Sequence, residues 1–272
     1  MKRSLASIHV YPIKSLGGFS VDEAELTDRG LKHDRRWMLV DPEGVFLTQR
    51  EHAAMACLQI TPGETGFRVT DNRSGATLDL PWAIGTGNER PCRVWGDHLH
   101  SVVGNDAWNA WFSRQLDAPV ELVFMPNHSE RPTDETYAKG LTSLSDGFPY
   151  SILSQATVDD LNARGLSLAQ EHAGAWVDIP TDRFRPNLVI AGGNAFQEDE
   201  WKRISIGSVP FSLVKPSARC TIITTDQQSG ARDREPLRTL ATYRSSGNKV
   251  LFGMNAVGAP SGIVRVGDLV HV

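Results

Sequence analysis

For most of its length the chain alternates short apolar runs with turn residues, a pattern that predicts strands more often than helices. Residues 8–13 read as a strand running into Lys14-Ser15-Leu16-Gly17-Gly18. Residues 37–40 and 45–48, divided by Asp41-Pro42-Glu43-Gly44, read as a hairpin, and 67–70 with 77–80 and 93–95 with 98–103 give two more. Strands and turns recurring at this interval suggest a barrel or a sandwich. Asn105 or Asp106 can cap a helix that places Trp108, Trp111, Phe112 and Leu116 on one face, with Pro119 beyond its end. A strand over 121–125 follows. Residues 126–147 are polar and broken by Pro126, Pro132, Gly140 and Gly147, a length expected of a lid, a binding loop or a linker.

Beyond that stretch the pattern predicts a strand at 150–153 and a Ser154-capped helix through Leu161 that stops at Gly165. A buried strand at 188–191 and a hairpin of 204–206 with 209–214 come next, then a short helix within 236–244 and strands at 250–257 and 262–272. The expected class is mixed, mainly β with short helices, in two units, 1–125 and 126–272.

Composition narrows the function only by exclusion. A 40% hydrophobic and 22% charged chain of 272 residues is ordinary for a globular protein, and a net charge of −4 leaves no broad basic footprint for nucleic acid. No apolar run approaches the length of a membrane span or a secretory leader. Cys57, Cys92 and Cys220 are odd in number and far apart, which argues against a disulfide framework and makes a reducing, cytoplasmic compartment the simplest expectation. Zinc-helix, paired-cysteine, P-loop, dinucleotide-turn and nucleophile-elbow motifs are all missing.

What remains is one thiol and a set of anion-binding pieces. Cys220 lies between Arg219 and the β-branched run Thr221-Ile222-Ile223-Thr224-Thr225, so it is expected where a strand begins after a turn at Pro216-Ser217, beside a cation that favours the thiolate. The alternative is a small buried hydrophobe. Lys14-Ser15, ahead of two glycines, could bring an ammonium, a hydroxyl and open N–H groups to a phosphate. Arg35 and Arg36 precede one predicted strand and Arg185-Pro186-Asn187 another, where arginine offers a fork for phosphate and asparagine a donor and acceptor for a heterocycle edge.

Tyr11-Pro12-Ile13-Lys14-Ser15, His33-Asp34-Arg35-Arg36-Trp37, Phe184-Arg185-Pro186-Asn187, Ser217-Ala218-Arg219-Cys220 and Phe252-Gly253-Met254-Asn255 occur in this order over nearly the whole chain. Together they resemble the MOSC family of molybdenum-cofactor proteins, in the branch of YcbX and the mitochondrial amidoxime-reducing component. The resemblance implies an N-terminal MOSC-associated β-barrel domain followed by a β-barrel MOSC domain. It implies a molybdopterin-type cofactor whose metal is held by the pterin dithiolene and by Cys220. It places Lys14, Ser15 and Arg35 at the cofactor phosphate, Arg185 and Asn187 at further cofactor contacts, and Asp146, Ala218, Arg219 and Asn255 around the same pocket; Ala218 stands where some relatives have serine. The implied activity is reduction of small N-hydroxylated compounds such as amidoximes, hydroxylamines and N-hydroxylated bases. Relatives of the YcbX type add a cysteine-rich ferredoxin-like module, and with three cysteines here a separate ferredoxin, flavoprotein or cytochrome is the expected electron donor. Two other roles remain open: a sulfur carrier or transferase acting through a Cys220 persulfide, and a cofactor-binding protein without turnover.

Overall fold

The computed structural model describes residues 2–172 and 174–272. Its centre is a closed ring of seven strands. In order these are Tyr150–Ser154, Leu188–Ala191, Arg3–Val10, Leu269–His271, Arg203–Ile206, Val209–Arg219 and Lys249–Gly258, and the last pairs back onto the first. All neighbours are antiparallel except Tyr150–Ser154 with Leu188–Ala191. That parallel pair needs a crossover, supplied by the helix Gln155–Glu171. Inward positions alternate along each strand, as Ile204 and Ile206, Phe211 and Leu213, and Met254 and Ala256 show, and they meet Leu5, Ile8 and Tyr150 in one apolar cluster.

Much of the predicted element order is present, and the departures have local causes. The first strand starts at Arg3 rather than at residue 8. A register shift between Leu5 and Ser7 inserts an extra residue, so the inward side chains are Leu5 and Ile8 and the alternation that marks a strand is broken there. Residues 45–48 form no strand, only bridges from Phe46 to Val40 and from Val45 to Arg93. The crossover helix runs through Gly165 to Glu171: a Cβ at Gly165 would lie 2.4 Å from the Trp176 ring, so this glycine seats a tryptophan instead of ending the helix.

Ser154 is the N-cap residue but its side chain makes no capping bond. Buried Glu198 accepts from the Ser154 N–H at 3.2 Å and from Thr157 Oγ1 at 2.9 Å. Glu198→Ala, which strands both donors, is expected to cost about 1–3 kcal/mol in urea unfolding.

The other unit has a four-stranded sheet of Trp37–Val40, Glu121–Phe124, Asp97–Val103 and Glu89–Val94, and a three-stranded sheet of Leu58–Pro62, Gly66–Asp71 and Thr77–Pro81. Between them the helix Asp106–Leu116 buries Trp111, Phe112 and Leu116 against Trp37 and Phe67. Asn105 caps it, accepting the Trp108 N–H. The two units share strands as well as a boundary, because Arg3–Val10 belongs to the ring built mainly from residues after 149.

The segment between Phe124 and Tyr150 is pinned at many points. Arg29 Nη1 donates to the Ser129 carbonyl at 2.8 Å, Ser143 Oγ to the Asp34 carbonyl at 2.8 Å, and buried Arg131 reaches Asp97 at 2.7 Å and the Ser143 carbonyl at 3.0 Å. It forms a fixed wall beside the barrel mouth.

Candidate functional site

A cavity of about 300 Å³ opens where the barrel mouth meets the first unit, and ten of the eleven residues singled out from sequence line it, Arg36 being the exception: Lys14, Ser15, Arg35, Asp146, Arg185, Asn187, Ala218, Arg219, Cys220 and Asn255. Arg50, Arg183 and Lys215 also line it and were missed. The lining cations are thus Lys14, Arg35, Arg50, Arg183, Arg185, Lys215 and Arg219, and among the described residues the one lining carboxylate is Asp146. A chain of net charge −4 therefore focuses positive potential at a single mouth.

Cys220 is not at the start of a strand. The strand Val209–Arg219 passes straight through Pro216 and Ser217, where register shifts at 213/215 and 216/218 against Lys249–Gly258 relieve the ladder bond proline cannot make. Cys220 follows its last residue, and Thr221–Thr224 coils into a 3-10 turn. Ile223 there packs with Leu153, Phe184 and Phe252, so tertiary burial overrides β propensity and leaves the thiol partly exposed at the rim. Cys57 and Cys92 are buried, in keeping with packing roles.

The cations are held differently. Lys14, 4% exposed, pairs with Asp146 at 2.6 Å. Burial pulls its ammonium down to about 8, against the Asp146 carboxylate, which raises it. Asp146 stays 61% exposed at its side chain; withdrawal from water pushes its carboxyl up, but Lys14 and then Arg50 outweigh this and hold it below the usual range. Arg35 Nη1 contacts both oxygens of buried Asp34, at 2.9 and 2.7 Å. The guanidinium groups of Arg35 and Arg185 lie 4.3 and 4.4 Å from the centre of the Tyr11 ring. Ser15, Arg35 and Arg185 have φ of 65°, 47° and 52°, left-handed backbone that costs a non-glycine residue roughly 1–2 kcal/mol. Three such residues lining one cavity is the pattern of strain kept for function.

Some expected contacts are engaged elsewhere. Gly17 N–H donates to the Leu58 carbonyl and Leu16 N–H to that of Ile13, so these two amides of the loop are already engaged. Arg36 faces away, bonded to the Met125 carbonyl and to Asn127 Oδ1. Asn187 accepts from Ser151 N–H at 3.2 Å and donates to the His9 carbonyl at 3.2 Å, tying strands together as well as lining the cavity. Arg219 donates to the Phe252 and Phe184 carbonyls at 2.7 and 3.0 Å.

What is left over is informative. Among the described residues, buried Arg219 Nη2, Arg183 Nε, Ser217 Oγ and Ser151 Oγ have no hydrogen-bond partner, and all four residues line the cavity. Unsatisfied buried donors of this kind suit an acceptor-rich ligand.

The fold and mouth define a class: a β-barrel with a cation-lined cavity beside an accessible thiol, suited to a polyanionic ligand. The chain belongs to the MOSC family. Residues 2–119 match the MOSC N-terminal beta barrel domain and residues 140–271 the MOSC domain. The chain is 31% identical to mitochondrial amidoxime-reducing component 1 of Mus musculus and 32% identical to that of Homo sapiens, over 99% of its own length and 82% of theirs. It is also 32% identical to the molybdenum cofactor sulfurase of Oryza sativa subsp. japonica, over 92% of its own length but only 32% of that protein. Of these relatives, it is the sulfurase whose name carries the molybdenum cofactor.

Proposed function

We propose that this protein binds a molybdenum cofactor in the cavity and reduces small N-hydroxylated compounds, with electrons from a separate donor protein. The observation that carries the reading is the joint presence of seven lining cations, the unpaired donors Arg219 Nη2 and Ser217 Oγ, and the Cys220 thiol around one space. The residues fit the group. Lys14, Ser15 and Arg35 would hold its phosphate, and Arg185, Asn187, Arg219, Asn255 and the Ala218 backbone its heterocycle. Cys220 would be the protein ligand of the metal beside the dithiolene sulfurs, as the family resemblance implies, a role its partly exposed thiol at the cavity suits. When bound, the cofactor supplies the two-electron chemistry; overall, two electrons and two protons break the N–O bond of the substrate and release water. The chain's own part is to neutralise the cofactor, orient it and leave one side of the mouth open to substrate. Residues 1–125 and 126–272 are the two units along the chain in this reading, both contributing to the mouth. Among the described residues no helix is long and apolar enough to cross a membrane; the cytoplasmic location proposed here rests on the three free cysteines.

The test is metal and pterin analysis of protein made in a host that synthesises the cofactor, followed by benzamidoxime reduction with a chemical donor. Protein free of both molybdenum and pterin would sink the reading. The similarity to cofactor sulfurases favours one rival, sulfur transfer through Cys220. A stable adduct one sulfur heavier, lost in Cys220→Ala and formed without cofactor, would select it.

Two smaller outcomes follow from the geometry. Ser217→Ala removes a buried hydroxyl that bonds to nothing described, so the apo protein is expected to hold its stability within about 0.5 kcal/mol in urea while cofactor dissociates several-fold faster. Lys14 adds a pH dependence. Its folded value, about 8, lies below the ordinary 10.5, so burying the ammonium costs stability below pH 8, and that cost fades as pH rises from about 8 to 10.5. Anion binding runs the other way, since it needs the ammonium. Affinity for inorganic pyrophosphate, measured by calorimetry on apo protein, should fall as pH rises through about 8. Asp146→Asn should move that fall to lower pH, because the carboxylate that raises Lys14 is gone.

A further inference from the structure

The arginine next to the thiol in sequence is not the one bonded to it in space. Arg219 spends Nε and Nη1 on the Phe252 and Phe184 carbonyls. Arg50, 170 residues away along the chain, donates from Nε to Cys220 Sγ at 3.2 Å, the one hydrogen bond to that sulfur among the described residues. Other contacts fix the guanidinium. It lies 4.5 Å from the centre of the Trp95 ring, its Nη2 is 3.6 Å from Asp146 Oδ2, and its Nη1 reaches Thr48 Oγ1 at 3.4 Å. The backbone is held too, since Arg232 Nη2 donates to the Arg50 carbonyl at 2.9 Å and to that of Gln49. Trp95, which carries the stack, sits at φ 56°, a left-handed conformation a tryptophan rarely adopts, and its Nε1 points to the same Asp146 at 3.4 Å.

We propose that Arg50 is the positioning residue of Cys220: it aims the sulfur into the cavity and, resting on the function proposed above, tunes the metal held by that sulfur. An N–H donated to a ligating thiolate draws electron density away from the metal and raises its reduction potential. A guanidinium does this with a fixed planar donor, whereas a lysine ammonium in its place would keep the charge but not the directed Nε–H. The first unit would thereby control the redox centre of the second through one side chain, with Trp95 and Asp146 as its supports.

The experiment compares holoprotein of the natural sequence with Arg50→Lys and Arg50→Met. Arg50 is also one of the seven cations lining the cavity, so molybdenum content is measured in each protein and the midpoint, band and kcat are read per bound metal. The spectroscopically monitored metal midpoint is expected to fall in Arg50→Met and to lie between in Arg50→Lys. The sulfur-to-metal charge-transfer band should shift in step, and kcat should drop about tenfold with KM within about twofold. Identical midpoints and bands in all three would overturn the tuning role. A second measurement uses apo protein: Cys220 alkylation by iodoacetamide at pH 7, with Cys57 and Cys92 protected by burial, should slow at least threefold in Arg50→Met. An unchanged rate overturns the positioning role. A natural-sequence protein devoid of molybdenum but with the altered alkylation would retain the positioning role and reject the proposed function instead.

Discussion

Cys220→Ala is expected to lower N-reduction by roughly a thousandfold or more, equivalent to about 4 kcal/mol of barrier, and to bring bound molybdenum close to background. The fold should not notice. Cys220 follows the last residue of the strand Val209–Arg219, is partly exposed, and belongs to none of the apolar clusters, so urea stability is expected to change by no more than about 0.5 kcal/mol. Cys220→Ser sharpens the result. It keeps an oxygen within reach of Arg50, whose Nε is 3.2 Å from the sulfur, yet a hard hydroxyl that stays protonated near neutral pH is a poor substitute for a soft thiolate. Serine is therefore expected to fail as alanine does. Metal analysis by mass spectrometry, beside benzamidoxime turnover with a chemical donor, reads both variants. Equal molybdenum occupancy across all three proteins would remove this cysteine from the metal.

The sequence revealed the barrel where one face is buried and the period is unbroken. Ile204 with Ile206, and Phe211 with Leu213, announce an inward face because side chains alternate. It concealed the barrel where a register shift displaces the phase, as between Leu5 and Ser7, and where a glycine serves as a packing seat, as Gly165 does for Trp176. The site was legible to the extent that its residues sit in short local motifs. Lys14-Ser15, Arg35, Arg185, Asn187 and Cys220 stand beside predicted strands, and all line the cavity. Lys215 directly follows the predicted strand 209–214 and was passed over, whereas Arg50 and Arg183 carry no such local signal. Arg50 lies in a turn after residues that looked like a hairpin limb, and only tertiary structure brings it to the sulfur. The reverse error has the same origin: Arg36 looked equivalent to Arg35, but Arg35 sits in a turn at φ 47° that redirects the chain just before the strand Trp37–Val40, and Arg36 bonds the Met125 carbonyl instead.

Lys14→Met separates binding from stability most sharply. Truncating one partner of a buried, hydrogen-bonded charge pair costs about 2–5 kcal/mol of ligand affinity, so cofactor affinity is expected to fall by a factor of roughly 30 to 5,000. Folding stability should move in the opposite direction. Lys14 is 4% exposed and its ammonium is disfavoured by burial, so an apolar side chain of similar length relieves the native state of a charge it holds at a cost. Asp146 would not be stranded, because Arg50 lies 3.6 Å and Trp95 Nε1 3.4 Å from its oxygens, and its side chain remains 61% exposed. The urea midpoint of apo Lys14→Met at pH 7 should therefore equal or exceed that of the natural sequence, while the pterin recovered with the purified protein falls. A variant that lost stability and cofactor together would make Lys14 a structural residue; one that kept the cofactor would take the phosphate site away from it. The expected split, a steadier fold with an emptier cavity, is what a buried cation maintained for an anionic ligand should produce, since the protein bears the desolvation cost in advance and recovers it when the ligand binds.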